Sequence, residues 1–362
     1  MNTIEIINNI YKTTNASKDE LTYLLNNLDD NSKEYLFQRA NEVRVKNYGH
    51  SVYLRGLIEL TNICKMNCKY CGIRADNKNI SRYRLTKEEI IECATMGDKL
   101  GYKTFVLQGG EDPYFTDDIM VDIISSIKEK FPTNAITLSI GERSHDSYKR
   151  MFEAGADRYL LRHETATKKL YEKLHPNASF ENRRECLKDL KEIGYQIGAG
   201  FMVGLPGSNI SDMVENLLYV KELEPEMCGI GPFIPQKDTP LATKMQGTAQ
   251  ETLIYLALLR MLLPEVLLPA TTALGSIDGK GREKGLKVGC NVVMPNLSPT
   301  EVREKYALYD GKICTGDEAA ECRNCIERRI VNAGFYVEIG PGHNIKWVKD
   351  GKAKKQEHIL NF

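Results

Sequence analysis

Three closely spaced cysteines are the clearest chemical signal in this chain. Cys64, Cys68 and Cys71 are spaced Cys-x3-Cys-x2-Cys and directly follow an apolar run that predicts a β-strand. A loop this short can direct three sulfurs to one point. Iron–sulfur clusters are normally held by four cysteine thiolates, so three ligands without an adjacent fourth indicate a [4Fe–4S] cluster with one open iron. In zinc proteins an open coordination position marks a metal site that performs chemistry, and we apply the same reasoning to this site. The alternatives are a zinc site or uncoordinated cysteines.

A second segment, Gln108-Gly109-Gly110-Glu111, follows the next β-prone run. Glycine permits positive φ and a close approach of the backbone to another group. Exposed backbone groups together with Glu111 could bind the ammonium group of an amino acid. The alternative is a tight turn between a strand and a helix.

Arg162 and Glu164 stand two positions apart, so on a strand they point the same way and His163 points the other way. Such a pair could clamp a zwitterionic ligand, with Glu164 on the ammonium group. Arg183 could meet a carboxylate through two parallel hydrogen bonds. The alternatives are a structural ion pair for the first two residues and an exposed helix position for Arg183.

Two further groups of residues have ambiguous chemistry. Thr271 and Thr272 supply hydroxyls in an apolar setting, where a helix-capping role is equally consistent. Cys314, Cys322 and Cys325 form a second triad near the C-terminus, and zinc, a second iron–sulfur cluster and free thiols all fit its spacing. The remaining cysteines lie in helical or strand patterns and are predicted to pack in the core: Cys93, Cys186, Cys228 and Cys290.

Composition sets broad limits. The 362 residues are 42% hydrophobic and 27% charged, as in ordinary globular proteins. Lys and Arg together number 49 and so do Asp and Glu, so no basic excess favours nucleic acid. We find no signal peptide, and apolar stretches such as 253–263 are too short to span a bilayer. We therefore expect a cytoplasmic protein whose ten cysteines are not paired in disulfides.

From residue 53 onward, short β-prone runs alternate with helical patterns, which indicates a parallel sheet. About eight such units favour a closed (β/α)8 TIM-type barrel over a doubly wound open sheet. We expect a helical extension over residues 1–50, the barrel over 51–300 and a C-terminal extension over 301–362 that packs on it. The predicted strands are 54–60, 104–107, 135–140, 158–161, 197–203, 228–230, 266–269 and 290–294.

In a barrel of this type, functional residues lie at the C-terminal ends of the strands. The cysteine triad follows the first predicted strand, the double glycine the second, and Arg162 and Glu164 the fourth. We therefore expect these groups to meet at one mouth of the barrel.

Together these residues resemble the radical S-adenosylmethionine (SAM) superfamily, whose cysteine motif with an aromatic before its last cysteine stands here as Cys64, Cys68, Tyr70 and Cys71. Within it, the chain is similar to the HydE family of [FeFe]-hydrogenase maturases. That similarity extends over nearly the whole chain, and the C-terminal cysteine triad matches a second-cluster motif of some members. The segments that carry it are 67–79, 155–164, 198–207, 229–235 and 269–272.

The resemblance implies a [4Fe–4S] cluster and SAM, with one electron from a reductant such as ferredoxin or flavodoxin. The resulting 5′-deoxyadenosyl radical would act on a cysteine-bound iron carbonyl/cyanide precursor of the hydrogenase active site. HydG and HydF would be the partner maturation proteins, HydG supplying the substrate. Neither nucleic acid nor a membrane is implied.

The resemblance also assigns roles to individual positions. It places the cofactor against Gln108, Gly109, Gly110, Thr137, Ser139, Glu164 and Arg183. It places the substrate against Arg162, Thr271, Thr272, Tyr306 and Tyr309. It leaves a second iron–sulfur cluster at Cys314, Cys322 and Cys325 as an open alternative.

Three other functions share part of this pattern. Biotin synthase needs further cysteines at strand ends, where this chain has Gln108, Ser139 and Met202. Methylornithine synthase lacks such cysteines too, but the two threonines and the C-terminal triad favour the maturase. An iron–sulfur electron carrier or a zinc-stabilised scaffold has no use for Glu111, Arg162 and Glu164 at one face.

Overall fold

Parallel strands alternate with helices along most of the chain, which confirms the predicted α/β class and TIM-type barrel. The computed structural model describes residues 2–316 and 318–350. The final residues of the predicted C-terminal extension, 351–362, lie outside this description.

The helices and strands have the following bounds. The helices are α1 (Thr3–Thr13), α2 (Lys18–Asn27), α3 (Asp30–Tyr48), α4 (Lys87–Lys99), α5 (Asp117–Lys130), α6 (His145–Glu153), α7 (Lys168–Leu174), α8 (Phe180–Ile193), α9 (Ile210–Leu223), α10 (Ala249–Leu262), α11 (Thr272–Ile277), α12 (Gly281–Lys287), α13 (Thr300–Arg303), α14 (Ala319–Asn332) and α15 (Ile345–Lys349). The strands are β1 (Ser51–Leu54), β2 (Gly56–Thr61), β3 (Thr104–Gly109), β4 (Ala135–Ser139), β5 (Arg158–Leu160), β6 (Gln196–Ala199), β7 (Met202–Val203), β8 (Met227–Cys228), β9 (Gly231–Pro232), β10 (Val292–Val293) and β11 (Tyr336–Glu338).

Short parallel pairings close the sheet into a ring. Six strands pair in the order β2-β3-β4-β5-β6-β8, and β10 pairs with β1. Isolated parallel bridges join Met227 to Leu267, Pro269 to Val292 and Leu57 to Asn296. The strand predicted over 266–269 therefore contributes only single bridges to the ring.

The strand predicted over 197–203 is divided into β6 and β7 at Gly200. This glycine has a φ of 154°. A Cβ there would lie 1.9 Å from the Gly229 carbonyl oxygen, so the two neighbouring backbones approach each other too closely for any side chain. The interruption lets the chain turn at the C-terminal end of the strand, where site residues are expected.

The N-terminal helices pack on the outer helices of the barrel, α2 against α9 and α3 against α10. The predicted capping box is confirmed: the Ser17 hydroxyl accepts from the Glu20 backbone and the Glu20 carboxylate accepts from the Ser17 backbone. The guanidinium of Arg44, fully buried on α3, donates to the carbonyls of Ser51 and Cys290. It thereby ties α3 to the N-terminal ends of β1 and β10.

Residues 305–313, which we call the strap, cross the mouth of the barrel. The Asn62 side-chain amide donates to the Lys305 carbonyl, and the Gly72 backbone amide donates to the Leu308 carbonyl. The Lys312 ammonium lies 2.7 Å from a carboxylate oxygen of Glu59, which is 1% exposed within β2. Beyond the strap, β11 pairs in parallel with β1. Among the described helices, none has the length and hydropathy needed to cross a membrane.

Candidate active site

A cavity of about 300 Å³ lies at the C-terminal ends of the barrel strands. It brings together most of the predicted site residues from widely separated parts of the chain. Those that line it are Cys64, Cys68, Cys71, Gln108, Gly109, Gly110, Ser139, Arg162, Glu164, Arg183, Thr271, Tyr306 and Tyr309.

The loop that carries the three thiols is held by hydrogen bonds from neighbouring elements. Lys65 N donates to the Glu111 carbonyl and Lys69 N to the Leu174 carbonyl, at 3.0 and 2.9 Å. The Cys64 sulfur accepts from the backbone amides of Met66 and Glu111 at 3.4 and 3.3 Å. Such N–H···S contacts favour the thiolate over the thiol.

Burial acts in the opposite direction and raises the pKa of all three thiols, that of Cys68 to about 12. Without a metal, the thiols are therefore protonated at neutral pH, and coordination would have to displace their protons. In the described ranges, no three His, Cys, Asp or Glu side chains already stand in metal-binding geometry. The donor set nevertheless fits an iron–sulfur cluster, because three thiols from one loop line a single cavity.

A tyrosine and a histidine brace this loop from behind. The Tyr70 hydroxyl lies 2.8 Å from His175 Nε2, and His175 Nδ1 lies 2.9 Å from the Tyr171 carbonyl. A carbonyl accepts only, so Nδ1 carries the ring proton and Nε2 accepts from Tyr70. Burial lowers the pKa of His175 to about 4, which keeps the ring neutral. Sequence reasoning had used Tyr70 only as part of the motif and had missed His175.

The double glycine lies against the thiol loop. A Cβ on Gly110 would be 2.2 Å from the Ile63 carbonyl oxygen and 2.7 Å from Cys64 Cβ. Glycine is therefore required by close packing at this position. Beside it, the Gln108 side-chain amide lies 3.3 Å from the Tyr306 hydroxyl, which joins β3 to the strap.

Glu164 stands in the left-handed region with φ of 63°, an uncommon conformation for a residue other than glycine. A carboxylate oxygen of Glu164 lies 3.2 Å from Arg162 Nη2, so the two side chains form an ion pair, and the clamp on a ligand stays a prediction. Both of these atoms, and Arg162 Nε, are buried without a hydrogen bond of acceptable geometry in the described part of the chain. His163 turns away, as predicted, toward the rings of Phe201 and Tyr219.

Arg183 reaches the cavity from α8. Its Nε lies 2.5 Å from a carboxylate oxygen of Glu142, and its Nη1 donates to the Arg162 carbonyl at 2.7 Å. Glu142 does not line the cavity, and sequence reasoning missed it. The available signal was its position three residues after the end of β4.

Two predicted residues do not reach the cavity wall. Thr271 lines the cavity and also caps α11, because its hydroxyl accepts from Leu274 N at 3.3 Å. Thr272 begins that helix, faces away and accepts from Arg282 at 3.1 Å. Thr137 is buried inside the barrel, and its hydroxyl has no hydrogen-bond partner among the described residues.

The strap supplies the two predicted tyrosines. Tyr306 and Tyr309 both line the cavity. Burial raises the pKa of both hydroxyls, that of Tyr309 to about 12, so both are neutral phenols at neutral pH.

The second cysteine triad is only partly assembled. Cys314 accepts from Arg282 Nη1 at 3.7 Å, and a hydrogen bond between the Cys314 and Cys322 thiols raises the pKa of Cys322. Cys322 is buried on α14, whereas Cys325 is exposed. The structure thus pairs two of the three thiols and leaves the third at the surface.

Comparisons with known proteins agree with this geometry. Residues 58–220 match the model of the radical SAM superfamily. The [FeFe] hydrogenase maturase subunit HydE of Thermotoga maritima is 51% identical, over 83% of this chain and 86% of that protein. The 3-methylornithine synthase of Methanosarcina acetivorans is 32% identical, over 81% of this chain and 83% of that protein.

Two solved structures share the fold. Methylornithine synthase (PylB) superposes with a TM-score of 0.82 at 27% identity, covering 92% of this chain and 97% of that one. HydG, a maturase of the [FeFe]-hydrogenase, superposes with a TM-score of 0.81 at 21% identity, covering 97% of this chain and 77% of that one.

Proposed function

This chain belongs to the HydE family of radical SAM enzymes, and on that premise we propose that it acts on a cysteine-bound iron carbonyl/cyanide precursor of the [FeFe]-hydrogenase active site. The observation that carries the proposal is the unsatisfied pair of Arg162 and Glu164. Arg162 Nε, Arg162 Nη2 and one Glu164 oxygen are buried without a well-formed hydrogen bond, although the two charges face each other at 3.2 Å. Buried polar groups are nearly always hydrogen-bonded, which supports a ligand site beside this pair.

The thiols of Cys64, Cys68 and Cys71 would hold the [4Fe–4S] cluster. When bound, the cluster and SAM supply a 5′-deoxyadenosyl radical after one-electron reduction, for which ferredoxin or flavodoxin is the proposed donor. The backbone at Gly110 packs closely against the thiol loop, and Gly109 lines the same cavity, so both could orient a ligand there.

The amino-acid end of SAM would lie between two opposite charges. The Glu164 carboxylate suits an ammonium group and the Arg183 guanidinium suits a carboxylate, and both line the cavity. Gln108 and Ser139 line the same wall and could accept or donate further hydrogen bonds. Thr137 would contribute only after a local rearrangement, because its hydroxyl lies inside the barrel away from the cavity wall.

The substrate would occupy the part of the cavity bounded by Arg162 and the strap. Arg162 Nε has no hydrogen-bond partner among the described residues and suits an anionic or nitrogen-terminated ligand such as cyanide, whereas Nη2 faces Glu164. Thr271, Tyr306 and Tyr309 present hydroxyls in a largely apolar wall. Thr272 would act indirectly, through the helix that it begins.

We further propose that HydG supplies the substrate and that HydF is a second partner in maturation. A second iron–sulfur cluster at Cys314, Cys322 and Cys325 would require Cys325 to move inward. None of the three cysteines lines the catalytic cavity, so such a cluster would lie outside it.

The radical chemistry is tested by anaerobic reconstitution with iron and sulfide, followed by dithionite and SAM. We expect 5′-deoxyadenosine and methionine from the intact protein and none from a Cys68→Ser variant. A fully loaded cluster that forms no 5′-deoxyadenosine would refute the assignment.

The substrate is tested by complementation of a hydrogenase-producing host that lacks its own HydE. We expect hydrogenase activity to return with this chain and not with its Arg162→Gln variant. Methylornithine synthase is the second candidate, favoured by the likeness to PylB. Formation of 3-methylornithine, without rescue of hydrogenase, would reverse the choice.

A further inference from the structure

A carboxylate outside the cavity holds a guanidinium that lines it. The Glu142 and Arg183 side chains are 12% and 11% exposed and meet at 2.5 Å. The second carboxylate oxygen of Glu142 accepts from the Asn182 side chain at 2.6 Å. Both oxygens are thus engaged with the first turn of α8, and neither faces the cavity.

The loop that carries Glu142 is fixed on both sides. Gly141 precedes it with φ of 83°, and a Cβ there would lie 2.0 Å from Glu111 Cγ. The Glu142 backbone amide donates to the Glu111 carboxylate at 3.2 Å, and the Arg143 amide donates to the Tyr148 hydroxyl at 2.9 Å. The carboxylate therefore occupies a position set by backbone contacts and does not depend on a flexible side chain alone.

Arg183 is correspondingly held along one edge. Its Nε is taken by Glu142 and its Nη1 by the Arg162 carbonyl. Across the described residues, Nη2 has no acceptor, and Arg183 lines the cavity. A guanidinium so held can present its remaining donors to a carboxylate without losing side-chain freedom at the moment of binding.

We infer that Glu142 is a positioning residue that fixes the Arg183 guanidinium toward a ligand carboxylate in the cavity. The inference rests on the proposed function, because it takes the amino-acid end of SAM as that ligand. Two other roles for Glu142 predict different results. If Glu142 has a purely structural role, its removal should change the affinity for all ligands equally. If Glu142 competes with the ligand carboxylate for Arg183, its removal should tighten the binding of that carboxylate.

The test compares two probes on the anaerobically reconstituted holoenzyme by calorimetry. S-adenosylhomocysteine has the amino-acid carboxylate, whereas 5′-methylthioadenosine lacks the whole amino-acid end. We expect Glu142→Ala to lower the affinity for S-adenosylhomocysteine about tenfold. The affinity for 5′-methylthioadenosine should stay within about twofold of that of the intact protein. Glu142→Gln should have a smaller effect, because its amide oxygen can still accept from Arg183 Nε. Glu181→Gln, an exposed charge change on the same helical turn, is the matched control.

Three outcomes would overturn the inference: equal weakening of both probes, unchanged binding of both, or tighter binding of S-adenosylhomocysteine. Circular dichroism and iron content establish that each variant is folded and loaded, and Glu142→Gln serves if the alanine variant does not fold. Arg183→Gln separates the two proposals. If Arg183→Gln lowers the affinity for S-adenosylhomocysteine while Glu142→Ala does not, only the role inferred for Glu142 is wrong. If it has no effect, the proposed carboxylate site itself is wrong.

Discussion

Replacing Lys312 by methionine should destabilise the protein by about 3 kcal/mol at pH 8. Glu59 is 1% exposed, Lys312 is 12% exposed, and their charged atoms lie 2.7 Å apart. Removing one partner of a buried ion pair typically costs about 3–5 kcal/mol, because the other charge is left without compensation. We expect a cost at the lower end of this range, because one Glu59 oxygen keeps a hydrogen bond from Asn296 at 2.8 Å.

The cost should depend on pH in a defined direction. Burial raises the pKa of Glu59 even though Lys312 opposes the shift, so removal of Lys312 raises that pKa further. A carboxyl whose folded pKa exceeds its unfolded value binds more protons when folded, so stability falls as pH rises through the folded pKa. The deficit of the Lys312→Met variant should therefore shrink as pH falls toward about 4.3, the unfolded value for glutamate.

Urea unfolding of the cluster-free protein at pH 8 and pH 5.5 measures both effects, with the slope as a check on comparable unfolded states. Adding Glu59→Gln to Lys312→Met should restore most of the lost stability at pH 8. Lys18→Met, which breaks an exposed pair with Glu215, is the control and should change little. A loss below about 1 kcal/mol at pH 8, or an equal loss at both pH values, would refute the reasoning about burial.

Three further predictions concern the thiols and their supports. Gly110→Ala should force the thiol loop outward and lower the iron content after reconstitution by more than half, whereas Gly279→Ala, with open space around it, should retain full loading. The pKa of His175 is lowered to about 4 in the folded protein, so between about pH 4 and pH 6.5 the unfolded chain binds more protons than the folded one. Stability should therefore rise with pH over this range, and His175→Gln should flatten that part of the plot of urea midpoint against pH. Replacing Cys322 and Cys325 together with serine should leave 5′-deoxyadenosine formation within about twofold of the intact protein, and a collapse would make this site part of the catalysis.

The location of the site could be predicted because barrel geometry is a long-range rule. Cys64, Gln108 and Arg162 are far apart in the chain, yet each follows a β-prone run. Parallel strands in one ring place their C-terminal ends together, so the order of strands was enough to collect these residues. No knowledge of individual side-chain contacts was needed for that step.

The direction of single side chains could not be predicted in the same way. Thr271 and Thr272 look equivalent in the sequence, but only the first lines the cavity. Its hydroxyl caps α11, which makes Thr272 the first helical residue and turns that side chain toward Arg282. Glu142 was missed because its partner lies 41 positions away, and no local pattern encodes such a pairing.

The strap changes how experiments on the second cysteine triad must be interpreted. Cys314 directly follows the strap, and its neighbour Ile313 donates to the Ser276 hydroxyl on α11 at 3.4 Å. Arg282 donates to both Cys314 and Thr272, so a change at Cys314 can reach the helix that carries the cavity threonine. On α14, Cys322 joins these contacts through its hydrogen bond with Cys314, whereas Cys325 is exposed. An activity loss seen with Cys314→Ser alone would therefore report displacement of the strap, whereas a loss shared by all three cysteines would report the metal.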